Sequence, residues 1–115
     1  MRNVTQYLKL MKYSKNKHFI EKLSVLNIAH KFKTPAYCYS YSKLKENINY
    51  FKKNFKSFSP LVCFSVKSNT NVNIIKEIKK FGLGADVVSK GELMLALKAG
   101  VSPCLLYTSD AADDA

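Results

Sequence analysis

Three short apolar segments, each followed by a helical pattern, recur at intervals of about 25 residues and constrain the fold most strongly. They begin near Ala36, Leu61 and Ala85. Strands that alternate with helices in this way form parallel sheets from repeated βα units. A closed βα barrel needs eight units and roughly 250 residues, whereas this chain of 115 residues has three. The pattern alone is therefore compatible with a doubly wound sheet or with part of a barrel.

Local patterns predict the elements of these units. The predicted strands cover residues 36–40, 61–66 and 85–88, and the second is apolar almost throughout, as in a parallel strand buried on both faces. We expect Ser42 to cap the first helix, and Ser89 with Glu92 to form a capping box for the third. Apolar stripes at helical spacing predict the inward faces of the three helices: Leu44, Ile48, Phe51 and Phe55; Ile74, Ile75, Ile78 and Phe81; Leu93, Met94, Ala96 and Leu97.

Residues 1–33 have a different pattern. Residues 11–13 and 18–21 predict two short strands around a polar turn, and apolar residues from Leu26 to Phe32 predict a short helix.

No apolar run approaches the roughly 18 residues of a membrane span, and the first residues lack the apolar core of a secretion signal. We therefore expect a cytoplasmic protein without a membrane partner. Three cysteines without metal-type or redox-type spacing predict no metal site: Cys38, Cys63 and Cys104.

The charge balance is strongly basic, with 19 Lys and Arg against 8 Asp and Glu and a net charge of +11. Such a charge suits a nucleic-acid or anionic-membrane partner. However, all basic residues except Arg2 are lysines, whereas base and phosphate recognition favours the arginine fork. We therefore expect a solvated surface and no nucleic-acid partner. The alternative is a small basic nucleic-acid-binding module, whose affinity would fall steeply with salt.

Composition changes abruptly after Pro103. Residues 104–115 contain neither Lys nor Asn, although both are frequent before them, and they hold three of the eight acidic residues. One interpretation is an acidic tail. However, the string from Cys104 to Asp113 resembles the in-frame translation of a common transposon-based sequencing adapter. We therefore interpret residues 104–115 as adapter-derived, exclude them from the fold prediction as one would a tag, and expect the natural frame to continue past Pro103.

Lys67 directly follows the apolar strand that ends at Val66. In barrels and open parallel sheets alike, chemistry collects at the carboxyl ends of the strands. A lysine in a partly dry site there loses some preference for its charged form, and its amine can then attack an aldehyde. By position alone, the simpler interpretation is a lysine that begins a solvated loop.

Two segments in the correct order resemble the ornithine/diaminopimelate/arginine decarboxylase family. Residues 64–69, with the isoleucines and glycine that follow, resemble its pyridoxal-phosphate attachment signature, and residues 84–93 resemble its next segment. Within the family, Asn69, Asn71 and residues 34–37 are most similar to diaminopimelate decarboxylases. The similarity runs from about Met11 to Pro103. It departs from the family pattern at Ser65, where the signature favours a small apolar residue or proline, and at residues 32–33, where a glycine is more usual.

The resemblance implies an α/β fold, namely the N-terminal part of an alanine-racemase-like, pyridoxal-phosphate-binding (β/α)8 barrel. Residues 34–103 would form its first three βα units. Residues 1–33 would be a hairpin and helix segment that packs on a C-terminal β-domain outside this chain. Further implications are a homodimer in the full-length enzyme, and phosphate and substrate-carboxylate ligands beyond Pro103. The chain alone is therefore expected to be inactive.

The resemblance also implies an activity and site residues. Lys67 would be the catalytic lysine that holds pyridoxal 5'-phosphate, and Asp86 would be a second cofactor-site residue that orients or charge-balances it. The alternative for Asp86 is an ordinary loop aspartate. The implied reaction is decarboxylation of a small amino acid, meso-2,6-diaminopimelate, to L-lysine in lysine biosynthesis. The alternatives are an ornithine, arginine or carboxynorspermidine decarboxylase of the same family, or a racemase of the same barrel type.

Overall fold

The computed structural model describes residues 11–14 and 17–109. The chain divides into two compact units, Met1–Asn54 and Phe55–Ala115. The described residues form two three-stranded sheets, one within each unit. In that part of the chain, no helix is both long and apolar enough to cross a membrane.

The first unit contains an antiparallel sheet and two helices. Strands β1 (Met11–Ser14), β2 (Lys17–Ile20) and β3 (Leu23–Ser24) pair in chain order, with Met11 opposite Ile20 and Ile20 opposite Leu23. Helix α1 (Val25–Phe32) follows β3, and α2 (Tyr41–Asn54) ends the unit. The hairpin and the short helix lie where the sequence predicted them.

The segment between α1 and α2 differs from the prediction, because residues 36–40 form no strand. A strand is stable only where a neighbour takes up its backbone hydrogen bonds, and no described segment pairs with these residues. Tyr37 is 92% exposed. High strand propensity was therefore not enough to make a strand here.

Helix α2 is capped by Ser40 and not by Ser42 as predicted. The Ser40 hydroxyl accepts a hydrogen bond from the backbone N–H of Lys43 at 3.0 Å, so the helix begins two residues earlier than the prediction required. Of the predicted inward stripe, only Ile48 is buried, whereas Phe51 and Phe55 are 45% and 43% exposed.

Glu21 ties the end of β2 to the start of α2. Its carboxylate accepts hydrogen bonds from the Ser40 hydroxyl and from the backbone N–H of Ser42, the latter at 3.0 Å. These bonds lower the pKa of Glu21 below its ordinary value, and the bond from Ser40 contributes more than the bond from Ser42. The ionised form of Glu21 therefore stabilises this junction.

The second unit contains a parallel sheet with connecting helices. Its elements are β4 (Cys63–Ser65), α3 (Val72–Lys80), β5 (Gly84–Asp86), α4 (Lys90–Lys98) and β6 (Leu106–Tyr107). The strand order is β4-β5-β6, and both pairings are parallel. The alternation of strand and helix predicted for the second and third units is thus present.

The sheet extends into the segment that the sequence interpretation excluded. Strand β6 and the preceding 3₁₀ turn Pro103–Leu105 lie within or overlap residues 104–115. Leu106 and Tyr107 pair with Ala85 and Asp86. The edge of β5 that β4 does not cover has N–H and C=O groups available for pairing, and β6 pairs with this edge.

The core of the second unit lies on the helix-bearing side of this sheet. Leu93 packs against it and Ala96 is buried, as predicted. Met94 and Leu97 are 59% and 41% exposed, so the prediction that they face inward was wrong. A sheet covers one face of a helix, and the apolar residues of α4 extend beyond that face. The buried cluster is Val66, Ile75, Ala85, Val87, Ala96, Ala99 and Val101.

Side-chain caps begin both helices of this unit. The Asn71 side chain accepts the N–H of Asn73 at 2.9 Å at the start of α3. At the start of α4, Ser89 Oγ accepts the N–H of Glu92 at 3.2 Å. The Glu92 carboxylate accepts the N–H of Val88 at 3.0 Å in return. The predicted capping box is therefore formed.

Candidate functional site

The parallel sheet has one face toward the helices and an opposite face of different composition. Phe64, Ala85 and Leu106 pack in the helix-side core. Successive side chains of a strand point to opposite faces, so their neighbours in each strand belong to the other face. The residues of this second face, called the polar face below, are Cys63 and Ser65 on β4, Gly84 and Asp86 on β5, and Tyr107 on β6.

Lys67 lies just past the carboxyl end of β4, in the 3₁₀ turn Val66–Ser68, and is exposed. Local hydrogen bonds fix this turn. The N–H of Asn69 donates to the Val66 carbonyl at 3.0 Å, and the Ser68 hydroxyl donates to the Ser65 carbonyl at 2.7 Å. An amine on a fixed turn at the edge of a rigid sheet is well positioned to react with a ligand.

Asp86 is the last residue of β5 and the register partner of Ser65 on β4. The structure therefore brings the two sequence-predicted site residues, Lys67 and Asp86, to the same edge of the sheet, at the carboxyl ends of adjacent parallel strands. Val66, the residue between Ser65 and Lys67, is fully buried, which anchors the end of β4.

The polar face contains two buried atoms whose hydrogen-bonding capacity is unused. Among the described residues, Ser65 Oγ and Asp86 Oδ1 are the buried side-chain oxygen or nitrogen atoms without a hydrogen-bond partner. The other carboxylate oxygen of Asp86, Oδ2, accepts from the Ser109 hydroxyl at 2.9 Å. Buried polar atoms are nearly always paired in native proteins, so these two atoms are available to a further group at this face.

The Cys63 thiol lies within the electrostatic influence of Asp86. Burial raises the pKa of the Cys63 thiol, and the negative charge of Asp86 raises it further. A raised pKa disfavours the thiolate, which is the reactive form of cysteine. The same charge of Asp86 would favour a positive nitrogen placed on this face.

These residues fit a cofactor that carries an aldehyde. Lys67 supplies an amine at the edge of the sheet, and Asp86 supplies a charge that would balance a positive nitrogen. No group of three His, Cys, Asp or Glu side chains in the described residues could hold a metal ion. The Lys67 amine and the Asp86 charge fit the aldehyde and the positive nitrogen of pyridoxal phosphate.

Sequence reasoning missed three residues of the site region. Ser65 was noted only as a departure from the family pattern, although its place two residues before Lys67 could have indicated a role. Cys63 was considered only as one of three cysteines without metal-type or redox-type spacing. Ser109 was excluded with residues 104–115. Of the further residues in the resemblance, Asn71 caps α3, and Asn69 Oδ1 accepts the N–H of Asn71 at 3.0 Å.

A separate groove lies in the first unit. Its volume is about 770 Å³, and residues 20–23, 28, 32 and 36–42 line it. It contains neither Lys67 nor Asp86. The groove is mostly apolar, and the Glu21 carboxylate in its lining is already bonded to Ser40 and Ser42.

The chain is similar in sequence to known proteins. Residues 41–112 match the family model described as pyridoxal-dependent decarboxylase, pyridoxal binding domain, which includes part of the segment interpreted as adapter-derived. A curated diaminopimelate decarboxylase from Aquifex aeolicus is 39% identical over 103 residues, covering 90% of this chain and 24% of that protein. One from Neisseria meningitidis is 44% identical over 82 residues, covering 71% of this chain and 20% of that protein.

Solved structures show the same likeness. A crystal structure from Aquifex aeolicus has a TM-score of 0.84 and 37% identity, and covers 91% of this chain and 26% of that chain. The diaminopimelate decarboxylase from M. jannaschii in complex with L-lysine has a TM-score of 0.80 and 31% identity, and covers 85% and 24%. The predicted α/β fold class is confirmed, although three parallel strands do not form a closed barrel. The chain spans about a quarter of these relatives and belongs to the family of pyridoxal-dependent decarboxylases.

Proposed function

We propose that the complete protein decarboxylates meso-2,6-diaminopimelate to L-lysine with pyridoxal phosphate, and that Lys67 holds the cofactor. The observation that carries this is the position of Lys67. It lies at the carboxyl end of β4, one strand from Asp86, inside the matched pyridoxal-binding domain. The curated relatives named diaminopimelate decarboxylase and the neighbour crystallised with L-lysine support the substrate and the product.

The Lys67 amine would bond covalently to the aldehyde carbon of the cofactor. Bound pyridoxal phosphate supplies an electron sink for the electron pair left when carbon dioxide departs. Lys67 is exposed in the described chain, and its amine would both hold the aldehyde group of the cofactor and move a proton at this edge of the sheet.

Asp86 would act through its charge. A carboxylate beside a positive nitrogen stabilises it and fixes its orientation. The effect of Asp86 on the Cys63 thiol supports a charge that acts across the polar face. We therefore assign Asp86 to the cofactor site as the residue that orients and balances Lys67.

The remaining proposals concern the complete protein. Because the chain covers only 24% of a relative's length, we place the cofactor-phosphate and substrate-carboxylate ligands outside it and expect the chain alone to be inactive. We propose a cytoplasmic homodimer that uses a small amino acid and neither nucleic acid nor membrane. Residues 1–33 would pack on a C-terminal β-domain, residues 34–103 would begin the barrel, and residues 104–115 would be adapter-derived.

The decisive experiment uses the full-length protein purified with pyridoxal phosphate. Borohydride reduction followed by peptide mapping should place the reduced pyridoxyl label on Lys67. The Lys67→Ala variant should lose the label and most of the lysine production. A matched control is Lys90→Ala, which removes an exposed lysine at the start of α4 and should keep both.

The outcomes separate the alternatives. Carbon dioxide release from meso-diaminopimelate, but not from ornithine, arginine or carboxynorspermidine, supports the proposed substrate. Release from one of the others, with the label still on Lys67, would show that the proposed substrate is wrong and that the assignment of Lys67 to the site is right. A label on another lysine, or full turnover in Lys67→Ala, overturns the site assignment.

A further inference from the structure

Ser65 carries a hydroxyl whose hydrogen-bonding capacity is unused. Its Oγ atom is buried and has no partner among the described residues, although the residue as a whole is only partly buried. A buried hydroxyl without a partner lowers stability, because it has lost its bonds to water and gained none in return. A small apolar side chain, which the family signature favours at this position, would avoid this cost. The Ser65 hydroxyl is therefore available to a further group.

The backbone ties Ser65 to the turn that carries Lys67. The Ser65 carbonyl accepts a hydrogen bond from the Ser68 hydroxyl at 2.7 Å, and Val66, which lies between Ser65 and Lys67, is fully buried. Ser65 is also the register partner of Asp86, so its side chain belongs to the polar face. Ser65 thus lies at the carboxyl end of β4, on the polar face and beside the turn where we place the cofactor.

The position of Ser65 does not depend on residues 104–115. Ser65 lies on β4, which pairs with β5, whereas β6 pairs with the other edge of β5. The strand order therefore places a whole strand between Ser65 and the segment interpreted as adapter-derived. The strand and turn that hold Ser65, residues 63–68, and the partner strand, residues 84–86, all precede Pro103.

We propose that Ser65 is a further cofactor-binding residue, whose hydroxyl donates a hydrogen bond to the ring of pyridoxal phosphate. The phenolic oxygen of this cofactor is attached to the ring carbon next to the one that bears the aldehyde, so it stays close to the residue that holds the aldehyde. A serine hydroxyl can donate to such an oxygen, and its three staggered rotamers allow it to turn from its buried position toward a ligand. The inference rests on the proposed function, because it assumes that Lys67 holds the cofactor.

The Ser65 hydroxyl has opposite effects in the two states of the protein. Without the cofactor it is unpaired and lowers stability, whereas with the cofactor it gains a partner. Ser65→Ala should therefore leave the cofactor-free protein at least as stable as the parent, and it should weaken cofactor binding. The usual net contribution of one hydrogen bond changes a binding constant by a factor of about 3 to 10.

The test uses the full-length protein, freed of cofactor and titrated with two probes. Pyridoxal phosphate can link to Lys67, whereas pyridoxamine 5'-phosphate keeps the ring and its phenolic oxygen but has no aldehyde. In Ser65→Ala, the dissociation constants of both probes should rise by about 3- to 10-fold. Equilibrium dialysis measures binding without any turnover, and the midpoint of urea unfolding measures the stability of the cofactor-free protein.

A second pair of variants separates the hydroxyl from the size of the side chain. Ser65→Thr and Ser65→Val give side chains of the same shape that differ in the hydroxyl, and both fit a strand. Ser65→Thr should therefore bind both probes more tightly than Ser65→Val, by a similar factor. The matched control is Ser57→Ala, which removes an exposed serine hydroxyl in the same unit and should keep the parent affinities.

Three results would overturn the inference. They are unchanged affinities in Ser65→Ala, equal affinities in Ser65→Thr and Ser65→Val, or a lower urea midpoint for the cofactor-free Ser65→Ala protein, which would mean that the hydroxyl has a structural role. Failure of the proposed function looks different, because borohydride would then place the reduced label of the parent protein on a lysine other than Lys67. The two failures are thus distinguishable in one set of proteins.

Discussion

Gly84 on β5 and Cys63 on β4 are register partners that approach unusually closely. A Cβ atom on Gly84 would lie 2.9 Å from Cys63 Sγ and 2.6 Å from the carbonyl oxygen of Leu105. Both distances are too short for a real Cβ contact. Glycine is therefore required here by the close packing of the polar face, and not by a turn.

We expect Gly84→Ala to destabilise the full-length protein by about 1–3 kcal/mol, because the added methyl group overpacks the contact with Cys63 Sγ, which does not depend on residues 104–115. The midpoint of urea unfolding measures the change. The matched control is Gly91→Ala in the first turn of α4, where the nearest atom is Ser89 Oγ at 3.8 Å. That variant should gain up to about 1 kcal/mol from helix propensity. Equal midpoints for the two variants would contradict the packing argument.

Ser89→Ala should cost about 1 kcal/mol, because the N–H of Glu92 loses its acceptor at the start of α4. Ser89→Asn keeps a capping oxygen and should stay near the parent stability. Thermal unfolding of both variants measures the difference. A parent-like melting temperature for Ser89→Ala would show that the capping box does not stabilise this helix.

Glu21→Gln should make the first unit's stability less dependent on pH. The folded pKa of Glu21 lies below its ordinary value because of the Ser40 and Ser42 hydrogen bonds. Its contribution is therefore present above the unfolded pKa of about 4.3 and is lost as pH falls through the lower, folded value.

The measurement is the difference in unfolding midpoint between the parent and Glu21→Gln from pH 7 to pH 3. The difference should be largest at neutral pH and shrink below about pH 4.3. Comparison with Glu46→Gln, which removes the exposed partner of Lys43 on α2, controls for the loss of a surface charge. A gap that widens in acid would reverse the sign of this argument.

The origin of residues 104–115 is open to a direct check. Re-amplification of the source genome across Pro103 should give a different, family-like sequence in place of Cys104 to Ala115. The Ser109 hydroxyl, which now donates to Asp86, would then be replaced along with the rest of the segment. If the genome itself encodes Cys104 to Ala115, the adapter interpretation is wrong and Ser109 is a natural neighbour of Asp86.

Sequence patterns alone were enough to predict the hairpin, α1, α3 and the capping box of α4. These elements depend on local periodicity, on turn residues and on contacts within four residues. Gly82 and Gly100, with φ of 72° and 82°, follow the ends of α3 and α4, where glycine adopts a positive φ without strain. The family signature around Lys67 was likewise readable, because its residues are close in sequence.

Contacts between distant segments decided the rest. Residues 36–40 have strand propensity but gain no strand partner in the described structure. Met94 and Leu97 are apolar but lie beyond the face of α4 that the sheet covers.

The closeness of Ser65 to Asp86, and of Gly84 to Cys63, follows from the register of β4 against β5. Local sequence determines which residues favour a strand and at which positions the reactive side chains lie. Only the pairing of strands fixes which side chains meet, because a shift of one residue would move each of them to the other face.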